Sequence, residues 1–448
     1  ACRLEDSPSR FSLQVLARSS LRAFRCNRSR NSCKQMPLSL LLDKSTFQML
    51  SMDQMLIVHR YYAPVVTPIL VTEVLGDLSK EVVDGTPAEK VAAQARKLLP
   101  HQIAVNVDYR SLIEGELLGY PVGADYRPQV GNAIAVKTAA GSTGVRVGPS
   151  SEEEALSRWR ERQFTDIEGV VAELWRKTTR NVDVLQNLKA TLKTRLSLET
   201  RIQDLEGIRA KTDELLKMPE NQESLLLFAL TEFAVGANSA TKASSRWQQE
   251  RPESFEQFAP YVYHCCRVRL FFLLALAHDL IGRKTDSVDL EYLYYIPFGR
   301  VFTSNDGFHK KLAPFFITSK QDFIPGDDLQ KDIKAIVEYC ETLSDEKHKQ
   351  RVLKEPPQIP SLLTYQLWAK YFRWPNRGFT DPHAGDMDYH HKKARELYDA
   401  MTTGTATNNA SGEPDFMVVE RTLNWSDPCP CKSGLSLRDC LPSHAKKQ

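Results

Sequence analysis

The chain has no hydrophobic run long enough to cross a bilayer. Its most apolar segment, residues 270–277, is closed off by Arg267, Arg269, His278 and Asp279. A membrane-spanning helix needs about 20 consecutive apolar residues, so this segment predicts a buried helix of a soluble protein. The chain also lacks a strong charge of one sign. Its net charge is +3, yet residues 1–35 alone contribute +6 through eight Lys or Arg against Glu5 and Asp6, which leaves −3 for the rest. A uniform basic field for nucleic-acid binding is therefore excluded, and any phosphate recognition has to come from local basic clusters. Cysteine is sparse: nine in 448 residues, with Cys265, Cys266 and Cys340 set in helical patterns. That argues against a disulfide scaffold and for a reducing, cytoplasmic setting. No internal repeat of solenoid type is present.

What is there is ample core material, 42% of the sequence being apolar, in a length that suggests about three domains. Residues 1–35 are rich in Arg, Ser and Cys and have no apolar stretch of the secretory type, so they read as a non-native or disordered leader outside the fold. Met36 reads as the natural start; a transit peptide is the alternative, weakened by Glu5 and Asp6. From Met36 the pattern predicts a strand at 37–42, a helix at 45–60, a strand at 64–71 and a helix at 72–83, the opening of an alternating α/β unit. Short β-like pieces punctuated by Gly and Pro fill 101–148. Glu152, Glu153 and Glu154 then open a long helical region to about 217, followed by helices at 221–238 and 257–281. Residues 289–306 return to helix and then strand, helices follow at 328–343 and 361–372, and 404–413 is a small-polar linker. The expected organisation is an α/β domain in two parts, 36–105 and 255–325, interrupted by an irregular and mainly helical insertion, 106–254. A helical region at 326–403, a linker and strand at 404–424 and a small cysteine-bearing tail at 425–448 complete it.

Carboxylates stand at the ends of the predicted elements. Asp43 follows the first strand, Glu73 follows the run Pro68-Ile69-Leu70-Val71-Thr72, Asp289 opens a helix, and Asp306 follows the strand ending Thr303-Ser304-Asn305. Taken alone, Asp43 reads as a turn former or helix cap, and Asp286 and Ser287 suit capping better than Asp289 does. As a set, however, the order resembles a PIN-like nuclease domain: Asp43-Lys44-Ser45 is similar to its opening Asp-x-Ser, Glu73 to its second acidic position, and Ser304-Asn305-Asp306-Gly307-Phe308 to its closing motif. The resemblance covers about 36–105 and 255–325, and the large insertion departs from it. It implies a Rossmannoid parallel sheet whose carboxyl ends bring Asp43, Glu73, Asp289 and Asp306 around Mg²⁺ or Mn²⁺. One or two such ions, about 4 Å apart when paired, activate water for attack on a phosphodiester. The implied substrate is RNA in preference to DNA; an inactive PIN-like scaffold that binds protein or ribonucleoprotein partners is the alternative.

Arg300, His309, Lys310 and Lys311 are candidates for phosphate contact and Asn305 for orienting water, although each alone reads as surface charge. Tyr292, Tyr294 and Tyr295 alternate with Leu290, Leu293 and Ile296 and read as core rather than as a base-stacking platform. In the tail, Cys429-Pro430-Cys431-Lys432-Ser433-Gly434 and Cys440 resemble the small SEC-C zinc motif, with Leu441 at the position of its last ligand and His444 as the nearby replacement. The resemblance implies a structural Zn²⁺ held by Cys429, Cys431, Cys440 and His444, and Lys432, Arg438, Lys446 and Lys447 leave peptide or nucleic-acid docking open as a role for the tail. A second group, Asp381, His383, Asp386, Asp388, His390 and His391, has no helical pair of histidines four apart and reads as a polar loop and helix cap.

Overall fold

The computed structural model describes residues 38–81, 85–98, 103–131, 133–137, 143–147, 149–180, 182–195, 201–283, 285–343 and 355–372. The leader, the group at 381–391, the linker at 404–413 and the zinc set Cys429, Cys431, Cys440 and His444 lie outside the described residues. The chain is α/β. A five-stranded parallel sheet is built from β1 (Leu38–Leu42), β2 (Tyr62–Val66), β3 (Ala104–Val105), β6 (Val301–Ser304) and β7 (Asp322–Pro325), in the order β3-β2-β1-β6-β7. The remaining strands, β4 (Ala133–Lys137) and β5 (Thr143–Val147), pair antiparallel and belong to a separate compact unit.

β1 is the central strand, and its sequence explains why. All five of its residues are buried, as expected for a parallel strand covered on both faces. It pairs with β2 on one side, Leu40 opposite Pro64, and with β6 on the other, Leu42 opposite Thr303. β1 and β6 are thus adjacent although some 260 positions separate them along the chain, as the 261-residue spacing of Asp43 and Ser304 records.

Several predicted boundaries move. The helix expected at 45–60 is two helices, Lys44–Met49 and Met52–Tyr61, the second restarted by a capping box between Ser51 and Gln54. The strand expected at 64–71 ends at Val66. Thr67 caps a helix, Pro68–Gly76, by accepting from Leu70 N, and Pro68 occupies its first turn, so Ile69, Leu70 and Val71 are helical despite their strand-like composition. The long helical region is four helices, Ser151–Arg160, Asp166–Arg180, Val182–Arg195 and Leu205–Lys217. A helix at Ala237–Glu250, rich in Ala and Ser, lies beyond the helices expected from the sequence.

The apolar helix is also divided, into Phe255–Phe258 and Pro260–Ala277. The longer piece buries 12 of its 18 residues and packs against Leu205–Lys217, Val182–Arg195 and the helix Tyr109–Leu117. Its N-cap residue, Ala259, offers no side-chain acceptor. Glu116 supplies one from outside: Val262 N donates to its Oε2 at 2.8 Å. Among the described residues no helix is long and apolar enough to cross a membrane.

Candidate functional site

Because β1 is followed by a crossing to β2 on one side while β6 lies on its other side, the chain parts at the carboxyl ends of these two strands. In an open parallel sheet a crevice forms at such a point. Asp43 leaves β1 there and Asp306 leaves β6. Asp43 is 3% exposed and caps the helix Lys44–Met49, its Oδ1 accepting from Thr46 N at 2.9 Å. Its Oδ2 accepts from Ser45 Oγ and from Ser304 Oγ, each at 2.6 Å. The capping role and the crevice position are therefore held by the same carboxylate.

His309 completes this cluster from beneath. It is fully buried, which corrects the expectation that it meets phosphate at the surface. The Ser304 hydroxyl has one hydrogen, given to Asp43, so it accepts from His309 Nδ1 at 2.8 Å and from Asp306 N at 3.0 Å. His309 Nε2 lies 2.7 Å from the Asp289 carbonyl oxygen, another acceptor. With Ser304 donating to Asp43, both ring nitrogens face acceptors, an arrangement that favours the imidazolium form. Burial pushes its pKa down, but the hydrogen bond and charge of Asp43 and the charge of Asp289 outweigh this and leave it raised. Conversely, burial pushes Asp43 up, while His309, Ser304 and Ser45 hold it below the usual carboxylate range.

Glu73 lies in the second turn of Pro68–Gly76, not at a helix start as the sequence suggested. Its carboxylate accepts from the Tyr292 hydroxyl, and burial, with Asp43 adding repulsion against the opposing pull of Lys44, raises its pKa. Tyr292 itself is 1% exposed; Tyr292, Tyr294 and Tyr295 are all core. Asp289 stands in the first turn of Asp286–Leu293. Its Oδ2 is buried and accepts no hydrogen bond among the described residues. Burial, augmented by the charges of Asp306 and Glu73, pushes the Asp289 carboxyl up to about 7.

Asp306 caps the helix Gly307–Leu312 through Phe308 N at 2.6 Å. Its Oδ1 also accepts from Arg283 Nη2 at 2.8 Å, and the same nitrogen is 3.6 Å from Asp289 Oδ2. Arg283 Nε donates to Asp286 Oδ1 at 2.9 Å. Asp286 does not cap its helix, whose N-cap is Thr285; it turns back to accept from Gly282 N and Arg283 N. One guanidinium thus spans three carboxylates.

The four acids singled out in the sequence therefore share one end of the sheet and act on one another electrically. Their donor chemistry suits a hard divalent cation: every donor is oxygen, and the buried Asp289 Oδ2 has no hydrogen-bond donor. Their side chains are held apart, however, by Ser45, Ser304, Tyr292 and Arg283, and among the described residues no three His, Cys, Asp or Glu side chains are gathered closely enough to ligate one ion. At the rim, Asn305 donates to Asp327 Oδ1 at 3.2 Å and accepts from Lys310, so its amide is engaged rather than free to orient water. Lys310 and Lys311 are exposed. Arg300 precedes β6 and lies over the Tyr126 ring, 3.9 Å from its centre, at the opposite end of the strand from the acids. No family model matches the chain, nor does any curated protein or solved structure.

Sequence reasoning missed Arg283, the charge state of His309, and a support beneath the site. Lys44 Nζ donates to the Glu73 carbonyl at 2.6 Å and to Asp77 Oδ1 at 2.9 Å. Asp77 is fully buried and also accepts from Gln48 and Gln94 and pairs with Lys80. It ties three helices together next to the site. The one sequence signal for Arg283 is its position three residues before Asp286 and six before Asp289.

Proposed function

We propose that the chain is a PIN-like, divalent-metal-dependent nuclease that hydrolyses phosphodiester bonds, with RNA as substrate in preference to DNA. The observation that carries this reading is the gathering of Asp43, Glu73, Asp289 and Asp306, from four separate segments, at the carboxyl ends of adjacent parallel strands. To hold Mg²⁺ or Mn²⁺ these carboxylates would have to close in from the positions in which Ser45, Ser304, Tyr292 and Arg283 keep them, and the ion would supply Lewis acidity toward a phosphate and its attacking water. The chain's own part is to present the acids. Ser45, Ser304 and the His309 imidazolium keep Asp43 ionised, while crowding and burial leave Asp289 and Glu73 with raised pKa values that a cation would lower. Exposed Lys310 and Lys311 supply the local positive charge for a polyanion that the overall charge does not.

The deciding assay is cleavage of single-stranded RNA by the purified protein with Mn²⁺ or Mg²⁺. Asp306→Asn is expected to reduce the rate by roughly a hundredfold or more, as loss of a charge-stabilising group does. Cleavage that needs no metal, or that survives this substitution, overturns the reading.

A second reading, a non-catalytic scaffold for protein or ribonucleoprotein partners, is favoured by one observation: the His309 imidazolium and Arg283 guanidinium already balance much of the acidic charge. Absence of Mn²⁺ binding together with absence of cleavage selects it. In either case the proposed tail holds one Zn²⁺ through Cys429, Cys431, Cys440 and His444 and docks a partner, and the proposed setting is the cytoplasm. Zinc content that persists in Cys431→Ser and His444→Ala removes that ligand set.

A further inference from the structure

The helix Asp166–Arg180 is fixed to the body by one side only. Trp175 packs against Gly76, where a Cβ would collide with the indole. Arg176 donates to the Ser79 carbonyl. At its start, Thr165 and Glu168 form a reciprocal cap, and Glu168 takes both terminal nitrogens of Arg158, at 2.7 and 3.2 Å. The opposite side carries Ile167, Val170, Val171 and Leu174, exposed by 75, 57, 38 and 56%. Four of the seven exposed large hydrophobic residues among those described lie on this one helix. Steps of three, one and three place them in a single stripe along about 10 Å of helix. A rigid helix that shows a continuous apolar stripe to water marks an interaction surface.

The stripe is its own complement. Its spacing reads the same from either end, and so does its sequence of sizes: a large aliphatic residue, two valines, a large aliphatic residue. A two-fold axis between Val170 and Val171 would set Ile167 of one helix against Leu174 of another, and Val170 against Val171, with the small valines at the crossing point. Antiparallel pairing also brings the exposed Asp166 at the acidic end of one helix beside Lys177 at the basic end of the other, an exposed side chain whose present partner is Glu173 of its own helix at 3.7 Å, and it opposes the two helix dipoles. Such a contact uses the same patch on both partners and closes on itself.

We propose that this face binds a second copy of the chain, helix against helix, in an antiparallel two-fold dimer. The buried area is modest, so the dimer is expected to be reversible and to depend on concentration. The full chain is followed by sedimentation equilibrium from about 1 to 200 µM, a span wide enough for micromolar association. Wild type is expected to pass from monomer to dimer, and Val170→Glu with Leu174→Glu to stay monomeric throughout. Asp166→Lys is expected to weaken the dimer roughly fivefold to tenfold through its two symmetric pairs, and Lys177→Asp added to it to restore the affinity. Restoration requires a folded protein and the antiparallel geometry, so it separates the proposal from loss through misfolding. A wild-type monomer over the whole range overturns it, as does a dimer that the double glutamate variant leaves intact. A charge reversal that is not rescued also overturns it.

Discussion

Glu116 gives the fold a pH dependence whose size follows from its surroundings. The side chain is 4% exposed, and its carboxylate caps the start of Pro260–Ala277 through Val262 N. Burial is the dominant influence and pushes the carboxyl from 4.5 up to about 7, against the backbone hydrogen bonds from Val262, Tyr261 and Val122 and the charge of Arg246. The folded chain therefore holds a proton on Glu116 more tightly than the unfolded chain does. The resulting stabilisation is fully present below the unfolded pKa and is lost as pH rises through the folded one, that is, between about 4.5 and 7. A shift of this size corresponds to about 3 kcal/mol. Glu116→Gln keeps an oxygen for Val262 N and cannot ionise. In urea denaturation at a series of pH values, the stability of wild type relative to Glu116→Gln is expected to fall by about 3 kcal/mol from pH 4.5 to pH 8. Because every other titrating group is common to both proteins, their contributions cancel in the difference. A difference that stays flat with pH, or that rises, refutes the reasoning.

Asp77 has the opposite sign. Burial works against its ionised form, but Lys44, Gln94 and Lys80 prevail and hold it at about 2 rather than 3.8, so its stabilisation is present above the unfolded value and disappears as pH falls through the folded one. After allowance for screening by the partly exposed lysines, this amounts to about 1–2 kcal/mol. Asp77→Asn also strands Lys44 and is expected to cost about 3 kcal/mol at neutral pH, with a smaller deficit near pH 3; equal deficits at both values in denaturant titrations contradict this. Arg283→Gln removes the guanidinium that spans Asp286, Asp289 and Asp306, so Mn²⁺ measured by calorimetry or electron paramagnetic resonance is expected to bind roughly tenfold more tightly, the equivalent of one charge–charge interaction of about 1.4 kcal/mol. Unchanged or weaker binding rejects Arg283 as the cation's competitor.

Much of the site's placement was legible because it depends on strand ends. The run Leu38-Ser39-Leu40-Leu41-Leu42 is apolar throughout and then stops at Asp43, and Ser304-Asn305-Asp306 closes a second buried run; both behave as they read. Glu73 was harder. The stretch before it is rich in Val, Ile and Leu, which suits a strand, and only the Thr67-Pro68 pair marks the helix start that sets Glu73 one turn in. The helix Ala237–Glu250 was missed because its apolar side, Ala237, Ala240, Ala243 and Trp247, is mostly alanine, and only Ala243 is buried. Asp77, Arg283 and His309 were illegible for a different reason. Each takes part of its meaning from partners elsewhere in the chain, Gln94 for Asp77, Asp306 for Arg283 and Asp43 for His309, and local neighbours such as Lys80 and Asp286 do not by themselves mark those pairs.

The neighbourhood of β1 and β6 also governs when the protein can become whole. The carboxylate of Asp43 waits for a hydroxyl 261 residues further on, so during synthesis β1 emerges long before the strand that covers its open side. Until Ser304 has left the ribosome, that side is an unpaired apolar edge of the kind that other chains can extend. Late closure of so distant a pairing is slow, because a long loop must be ordered before any contact rewards it. Assembly of the acid cluster consequently waits for β6, and chains truncated before β6 lack Asp306 and leave that edge of β1 exposed.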